Sequence, residues 1–478
     1  MARRTIKKTA SEAVRSLVAV TGKRFPAIKA TASAQLRAMR ARRYRSLARK
    51  TPVDPSAVVF ESYEARNCSC SPRALYQAML RDPRFEGVEK VWALRGPAVL
   101  ALAQRGGYDV RGSDELDGGQ GPEEDLETAM GTQALEELRR AVIVPRGTLE
   151  YSRAYARAAL WVTNTVLSAQ FVPRPGQTYL QTWHGTPLKR LGCDISEDTS
   201  GTAGLSVADI HRRYVAEGAR LTWLLSPSRY TSEKLASAFD LTSSGREQAI
   251  IETGYPRNDF LHTFTSGDVE RIKERLGVPS GKKVVLYAPT WREDQHSVGV
   301  GYTFENEVDF RALRTALGDD HVVLFRTHCL VSSRLDLSAH GGFVIDVSRV
   351  DDVNDLYVIS DALVTDYSSV FFDYANLRRP TVFFMRDLER YAGQTRGLYL
   401  GLEDLPGPVV DTTEGLIDAL RSGESPSAED VERRERFRER FTYLDDGHAS
   451  ERVIERMLAE GAVRPTAADT GAGGGSKR

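Results

Sequence analysis

Short apolar runs of strand length recur along this chain in two series, and stretches of helical periodicity separate them. The first series falls at 57–60, 91–94, 141–144, 160–162, 179–181, 223–226 and 250–252. The second falls at 284–288, 322–326, 343–346, 362–365, 381–384 and 409–410. Strands that alternate with helices close as parallel sheets covered by helices on both faces. The chain is therefore expected to form two α/β domains, joined near residue 255, where Gly254-Tyr-Pro-Arg-Asn-Asp259 separates the series.

Length agrees with this division, since 478 residues exceed one ordinary core. The formal net charge is zero but unevenly spread. Residues 1–50 carry 15 Lys and Arg against the single acid Glu12, net +14, leaving −14 on the remainder. We expect residues 1–50 to be a basic helical arm, with one helix over 3–21 and a second over 27–50. An acceptor-side domain over 51–255, a donor-side domain over 256–461 and a disordered tail over 462–478 follow. Basic amphipathic segments poor in acids suit anionic membrane surfaces. Alternative readings are a solvated arm, nucleic-acid binding or an organellar transit segment. Sparse aromatic residues place nucleic acid below the membrane, and no nucleic-acid partner is expected. Deleting the arm is expected to leave the body intact.

Cys68, Cys70, Cys193 and Cys329 have neither zinc-site spacing nor the density of a secreted disulfide framework, which suits a reducing compartment. No apolar run approaches the roughly 20 residues needed to span a bilayer. Asp109 to Glu127, rich in Gly, Asp and Glu, is expected to be an exposed loop.

Chemistry-bearing residues gather where strands end. Thr178-Tyr-Leu-Gln-Thr-Trp-His-Gly-Thr-Pro-Leu-Lys189 leads from a strand into His184, and Val322-Val-Leu-Phe-Arg-Thr-His328 leads through Arg326 to His328. Val284-Val-Leu-Tyr-Ala-Pro-Thr-Trp-Arg292 reaches Thr290 and Arg292. Ala362-Leu-Val-Thr-Asp-Tyr-Ser-Ser369 ends in hydroxyls that open a helix. Open α/β sheets bind ligands outside the carboxyl ends of their strands. Each residue alone has an ordinary structural reading: a satisfied histidine, a surface ion pair, or an N-cap by Asp366 or Ser368. The recurrence at four junctions favours a site.

The chain lacks a P-loop, a dinucleotide-binding glycine fingerprint, a nucleophile elbow, an H-E-x-x-H helix and an Asp-x-Asp pair. It offers basic and hydroxyl groups instead, which suits a negatively charged substrate handled without metal or cofactor. Arg292 and Arg326 could meet phosphate with the guanidinium fork.

Gln181-Thr-Trp-His-Gly-Thr-Pro-Leu-Lys189, Thr253-Gly-Tyr-Pro-Arg-Asn-Asp259, Tyr287-Ala-Pro-Thr-Trp-Arg292 and Thr365-Asp-Tyr-Ser-Ser369 together resemble the CDP-glycerol glycerophosphotransferase family of teichoic-acid polymerases and primases. Weaker similarity lies at Asn67 with Ser71-Pro-Arg-Ala-Leu-Tyr76 and at Trp223-Leu-Leu-Ser-Pro-Ser228. The resemblance implies a GT-B architecture, two Rossmann-like domains facing across a cleft, with the terminal helix crossing back to the first. It implies metal-independent transfer of glycerol phosphate from CDP-glycerol to a lipid-linked acceptor at the cytoplasmic face of the membrane, to which the charge of the arm suits peripheral attachment. Alternative readings are a ribitol-phosphate transferase or nucleotide-sugar glycosyltransferase of the same fold, or a non-catalytic membrane- or polyanion-binding protein. His184 would be the base and His328 a stabiliser of the donor phosphates. Arg292, Arg326, Thr365, Asp366, Ser368 and Ser369 would bind those phosphates, with Thr290, Lys189 and His448 as further contacts. His448 departs from the lysine usual in Asp-Gly-Lys-Ala-Ser, which puts a phosphate contact there in question.

Overall fold

The computed structural model describes residues 26–116, 126–196, 205–290, 296–297, 301–302, 308–327, 337–386 and 397–464. The expected helix over 3–21 lies outside them, as do Arg292, His328 and residues 465–478.

The first series forms one parallel sheet of eight strands, in the order β3-β4-β2-β1-β5-β6-β7-β8. In chain order these are β1 Asp54–Glu61, β2 Glu89–Leu94, β3 Asp109–Val110, β4 Val142–Pro145, β5 Ala158–Thr163, β6 Thr178–Gln181, β7 Trp223–Ser226 and β8 Ile250–Glu252. The second series follows: β9 Lys283–Ala288, the two-residue strands β10 His296–Ser297 and β11 Gly301–Tyr302, then β12 His321–Phe325, β13 Val344–Asp346, β14 Ala362–Thr365, β15 Thr381–Phe384 and β16 Val409–Val410. Apart from the separate antiparallel pair β10–β11, these build a second parallel sheet ordered β13-β12-β9-β14-β15-β16. Strand β5 is buried throughout and β1 from Ala57 onward, as sheets covered on both faces require.

Three expectations need correction. The stretch expected as a loop contributes Asp109–Val110, an edge strand paired with β4, and Leu126 and Glu127 already begin a helix. Alternation of apolar residues cannot register in a two-residue strand. The expected tail begins later than 462, because Ala462 and Val463 are buried and the Arg464 amide donates to the Pro55 carbonyl at 2.8 Å. The arm is also less separate than its charge suggests. Its helix, Pro26–Lys50, ends against the first domain: Tyr44 is buried edge-on to Phe171, with ring centroids 4.9 Å apart. The Arg174 guanidinium donates to the carbonyls of Ala48, Thr51 and Ala156. Removing all of residues 1–50 would therefore uncover part of the core.

The C-terminal helix Ala449–Ala459 returns to the first half, where Val453, Ile454 and Met457 join the core of Leu75, Tyr76 and Trp92. The chain crossing near residue 255 and this returning helix both tie the halves.

Candidate functional site between the sheet edges

The carboxyl edges of the two sheets face each other. Strand β6 runs out at Gln181 into Trp183, whose φ is 53°, and then His184 and Gly185. That left-handed turn sends the chain across the sheet edge toward the other half, and a Cβ at Gly185 would lie 3.3 Å from the Ser369 Oγ. The histidine-bearing turn and the hydroxyl-bearing helix opening are thus in contact distance.

His184 is solvent-exposed but crowded on its protein side. Its Nδ1 lies 2.5 Å from the Asn164 carbonyl, so Nδ1 carries the proton it donates and Nε2 presents a lone pair. Tyr63 meets the imidazole edge-on at 5.8 Å, and the Tyr63 amide donates to Asn164 Oδ1 at 2.7 Å. Desolvation by the crowding protein, with the positive charge of Arg257 in the same direction, outweighs the Asn164 hydrogen bond and pushes the His184 pKa down to about 4. Water at the exposed ring screens this shift without reversing its direction. A neutral imidazole with a free Nε2 can accept a proton across the ordinary working range.

Second-half residues serve the scaffold as well as the site. Thr365 is fully buried and donates to the Ala288 carbonyl at 2.8 Å. The Asp366 carboxylate accepts from the Thr290 amide at 2.8 Å and from its hydroxyl, tying the ends of β14 and β9 together. The Arg326 guanidinium donates to the Val350 carbonyl at 2.6 Å and the Val347 carbonyl at 3.3 Å, bracing the loop after β13. Ser368 and Ser369 remain half-buried at the edge. Ser369 occupies the N-cap of the five-residue helix Val370–Tyr374 and makes no side-chain capping bond, which leaves its hydroxyl uncommitted to the helix. Lys189 bridges to Leu398, within a strap where Tyr399 donates to the Leu188 carbonyl at 2.8 Å. His448 is exposed, with Nδ1 3.0 Å from Glu451.

Residues of the Gly254–Asp259 motif, given no role from the sequence, form with Asp373 and Asp445 the clamp that sets the two edges. Arg257 and Asp373 make a buried forked ion pair at 3.2 and 2.7 Å. Asn258 donates to Asp373 at 3.0 Å and to Asp445 at 2.7 Å, and the Tyr255 amide donates to Asp445 at 2.7 Å. Burial, opposed by these hydrogen bonds, raises the Asp445 pKa to about 7. Tyr255 also donates to the Gly185 carbonyl at 3.2 Å, so the clamp reaches the His184 turn directly. Asp259 accepts from the amides of Ala449 and Ser450 at 2.9 and 2.8 Å and caps the returning helix. Gly254 is required at the crossing: its φ is 84°, and a Cβ would come within 2.4 Å of the Leu444 carbonyl oxygen. The signal for the clamp was Gly254-Tyr-Pro-Arg-Asn-Asp259 itself; Asn164 follows the strand-end rule that picked out His184.

Among the described residues, Asp320, His321 and Glu424 have ligand atoms close enough for a metal. They sit at the amino end of β12, away from the carboxyl edges, and Lys283 already pairs with Glu424 at 2.5 Å.

Two parallel sheets with apposed carboxyl edges, a histidine on one and hydroxyls on the other, define a two-domain Rossmann-like protein of the GT-B type. The family model of CDP-glycerol:poly(glycerophosphate) glycerophosphotransferases matches residues 122–459, and the chain belongs to that family. It is 36% identical over 422 residues to the teichoic acid poly(glycerol phosphate) polymerase of Bacillus subtilis, covering 87% of this chain and 50% of that protein. To the teichoic acid glycerol-phosphate transferase of Staphylococcus aureus it is 35% identical over 405 residues, covering 84% and 92%. The chain thus spans half of the first relative and nearly all of the second. A structure of the wall teichoic acid polymerase TagF, a histidine variant soaked with CDPG, superposes with a TM-score of 0.73 at 34% identity, over 88% of this chain and 93% of that one.

Proposed function

We propose that the protein transfers glycerol phosphate from CDP-glycerol to a teichoic-acid-type acceptor and releases CMP. The observation that carries this is His184, held by Asn164 with Nε2 free, opposite Ser369 at the facing edge. Nε2 takes the proton of the acceptor hydroxyl, and the oxygen attacks the β-phosphorus of CDP-glycerol. The bond from that phosphorus to the bridging oxygen breaks, and its electrons leave with CMP. Ser368, Ser369, Arg292, Arg326 and His328 stabilise the charge that develops on the donor phosphates. Thr365, Asp366 and Thr290 hold the strand ends that present these groups.

Glycerol rather than ribitol phosphate is favoured by the extent of similarity. The Staphylococcus aureus ribitol-phosphate polymerase TarK matches 60% of this chain at 32% identity, against 84% at 35% for the glycerol-phosphate transferase of that organism. The acceptor is lipid-linked, and the arm, net +14 over residues 1–50, holds the enzyme peripherally at the anionic cytoplasmic face of the membrane. Among the described residues no helix is long and apolar enough to cross a membrane.

The test is incubation with CDP-glycerol or CDP-ribitol and a lipid-linked disaccharide acceptor, with CMP release and product size measured. CMP release and chain growth with CDP-glycerol are expected; turnover with CDP-ribitol alone overturns the choice of donor.

A further inference from the structure

Two arginines converge on one carboxylate beside the His184 turn without closing onto it. Arg146 follows β4 and reaches across the sheet edge, where its Nη2 lies 3.8 Å from Glu64. Arg213 comes from the opposite side, on the helix Val207–Arg220, and its Nη2 lies 3.6 Å from Glu64. Both separations are too long for hydrogen bonds, so Glu64 attracts the two guanidiniums but leaves their N–H groups unsaturated toward it. All three side chains keep partial exposure, at 30, 45 and 33%. The neighbouring Glu61 accepts from Tyr151 and Tyr155 at 2.7 and 2.8 Å through one carboxylate oxygen, and its other oxygen lies 3.9 Å from Arg146 Nε, again too far for a hydrogen bond.

The backbone places this cluster against the base. Tyr63, Glu64 and Ala65 form a turn with φ of 46, 58 and 63°. Its amides at Tyr63 and Glu64 donate to the side chains of Asn164 and Thr165, at 2.7 and 3.3 Å. Asn164 is also the residue whose carbonyl holds His184. Glu64 is therefore one residue from the ring that packs on His184, and the two arginines of the first half flank Glu64.

We propose that Arg146 and Arg213 form a phosphodiester subsite for the acceptor, and that Glu64 occupies it as an internal counter-ion until an acceptor phosphate displaces it. A paired guanidinium cradle fits the two non-bridging oxygens of a phosphodiester. The subsite takes a polyol-phosphate chain whose terminal hydroxyl reaches His184 while the preceding phosphate lies between the arginines. This deepens the proposed transfer reaction and rests on His184 serving the acceptor.

Direct binding separates the two ideas, because it needs no turnover. A short soluble glycerol-phosphate oligomer is titrated into the full chain by calorimetry, with CDP-glycerol titrated separately to report an intact second domain. Arg146→Gln and Arg213→Gln are each expected to weaken oligomer binding about tenfold and to flatten its salt dependence, with CDP-glycerol binding unchanged. Glu64→Gln is expected to tighten oligomer binding several-fold. A farnesyl-pyrophosphate-linked disaccharide without glycerol phosphate forms the second arm. Equal sensitivity of that probe to the arginine variants would assign the cradle to the lipid pyrophosphate and overturn the polyol-phosphate assignment. Oligomer binding indifferent to both arginines, or weakened by Glu64→Gln, would overturn the subsite itself. Failure of the wild type to turn over CDP-glycerol, with these binding shifts intact, would sink the transfer reaction and leave the subsite standing.

Discussion

His184 and Arg326 stand at matching places in the two halves, each just past the carboxyl end of an inner strand, and the fold uses them differently. Beyond β6, neighbouring groups orient His184 through one nitrogen and leave the other open. Beyond β12, the Arg326 guanidinium turns back onto the carbonyls of Val347 and Val350. Thr365 and Asp366 are spent similarly on Ala288 and Thr290. The first edge displays an open ring nitrogen, whereas much of the second edge's polarity holds the frame from which Ser368 and Ser369 project. A polar residue at a strand end can thus hold the frame, as Thr365 and Asp366 do, or, like Arg326, brace a loop through one guanidinium nitrogen.

Removing the displayed atom should cost most. His184→Ala is expected to lower turnover by roughly 10²–10⁴-fold with CDP-glycerol affinity nearly unchanged, measured by CMP release and donor titration. Near-normal turnover would erase the distinction between the two edges. Their mutual register depends on the clamp. Asp373→Ala strands the Arg257 charge in the interior and should destabilise the fold by about 3–5 kcal/mol in denaturant unfolding. A loss under about 1 kcal/mol would mean that water enters the joint and the edges are not rigidly set.

A gentler change sharpens the other half of the comparison. Ser369→Ala deletes a projecting hydroxyl and should weaken CDP-glycerol binding several-fold, about 1 kcal/mol, with little effect on stability. Thr365→Val, which removes a buried bond to the scaffold, should show the reverse pattern: a lower melting temperature and donor affinity altered only in proportion. Smallest in its effect on catalysis is the arm. Deleting residues 2–35 should weaken binding to anionic vesicles while sparing turnover of a soluble acceptor, whereas deleting 2–50 should also lower stability by exposing Phe171. Equal stability of the two truncations would show the Tyr44 contact to be dispensable.

Most of the fold was legible because buried parallel strands read as continuous apolar runs, and both series appear as sheets. The edge strand Asp109–Val110 was not, since its two residues pair with β4 through backbone alone. In the site, His184 was legible from its place after a strand. The inward turn of Thr365 was not, because it follows from the register that sets Thr365 beside Ala288, a pairing between residues 77 apart. The arginine of Gly254-Tyr-Pro-Arg-Asn-Asp259 read as one more motif residue; only the partner carboxylate at Asp373, on a distant helix, shows it to be a clamp. Tyr44 was hidden by the charge of its neighbours, which describes the exposed face of the arm and not the turn that docks.

The central claim, that His184 acts as a neutral base, is tested most directly by the pH dependence of kcat/KM for the acceptor. Neutral imidazole is the competent form, and crowding lowers its pKa from the ordinary value near 6.5. Activity should therefore hold steady as pH falls through 6.5 and decline only in a limb centred below it, and His184→Ala should remove that limb from the residual rate. A limb centred at or above 6.5, or one that persists unchanged in His184→Ala, would contradict the account.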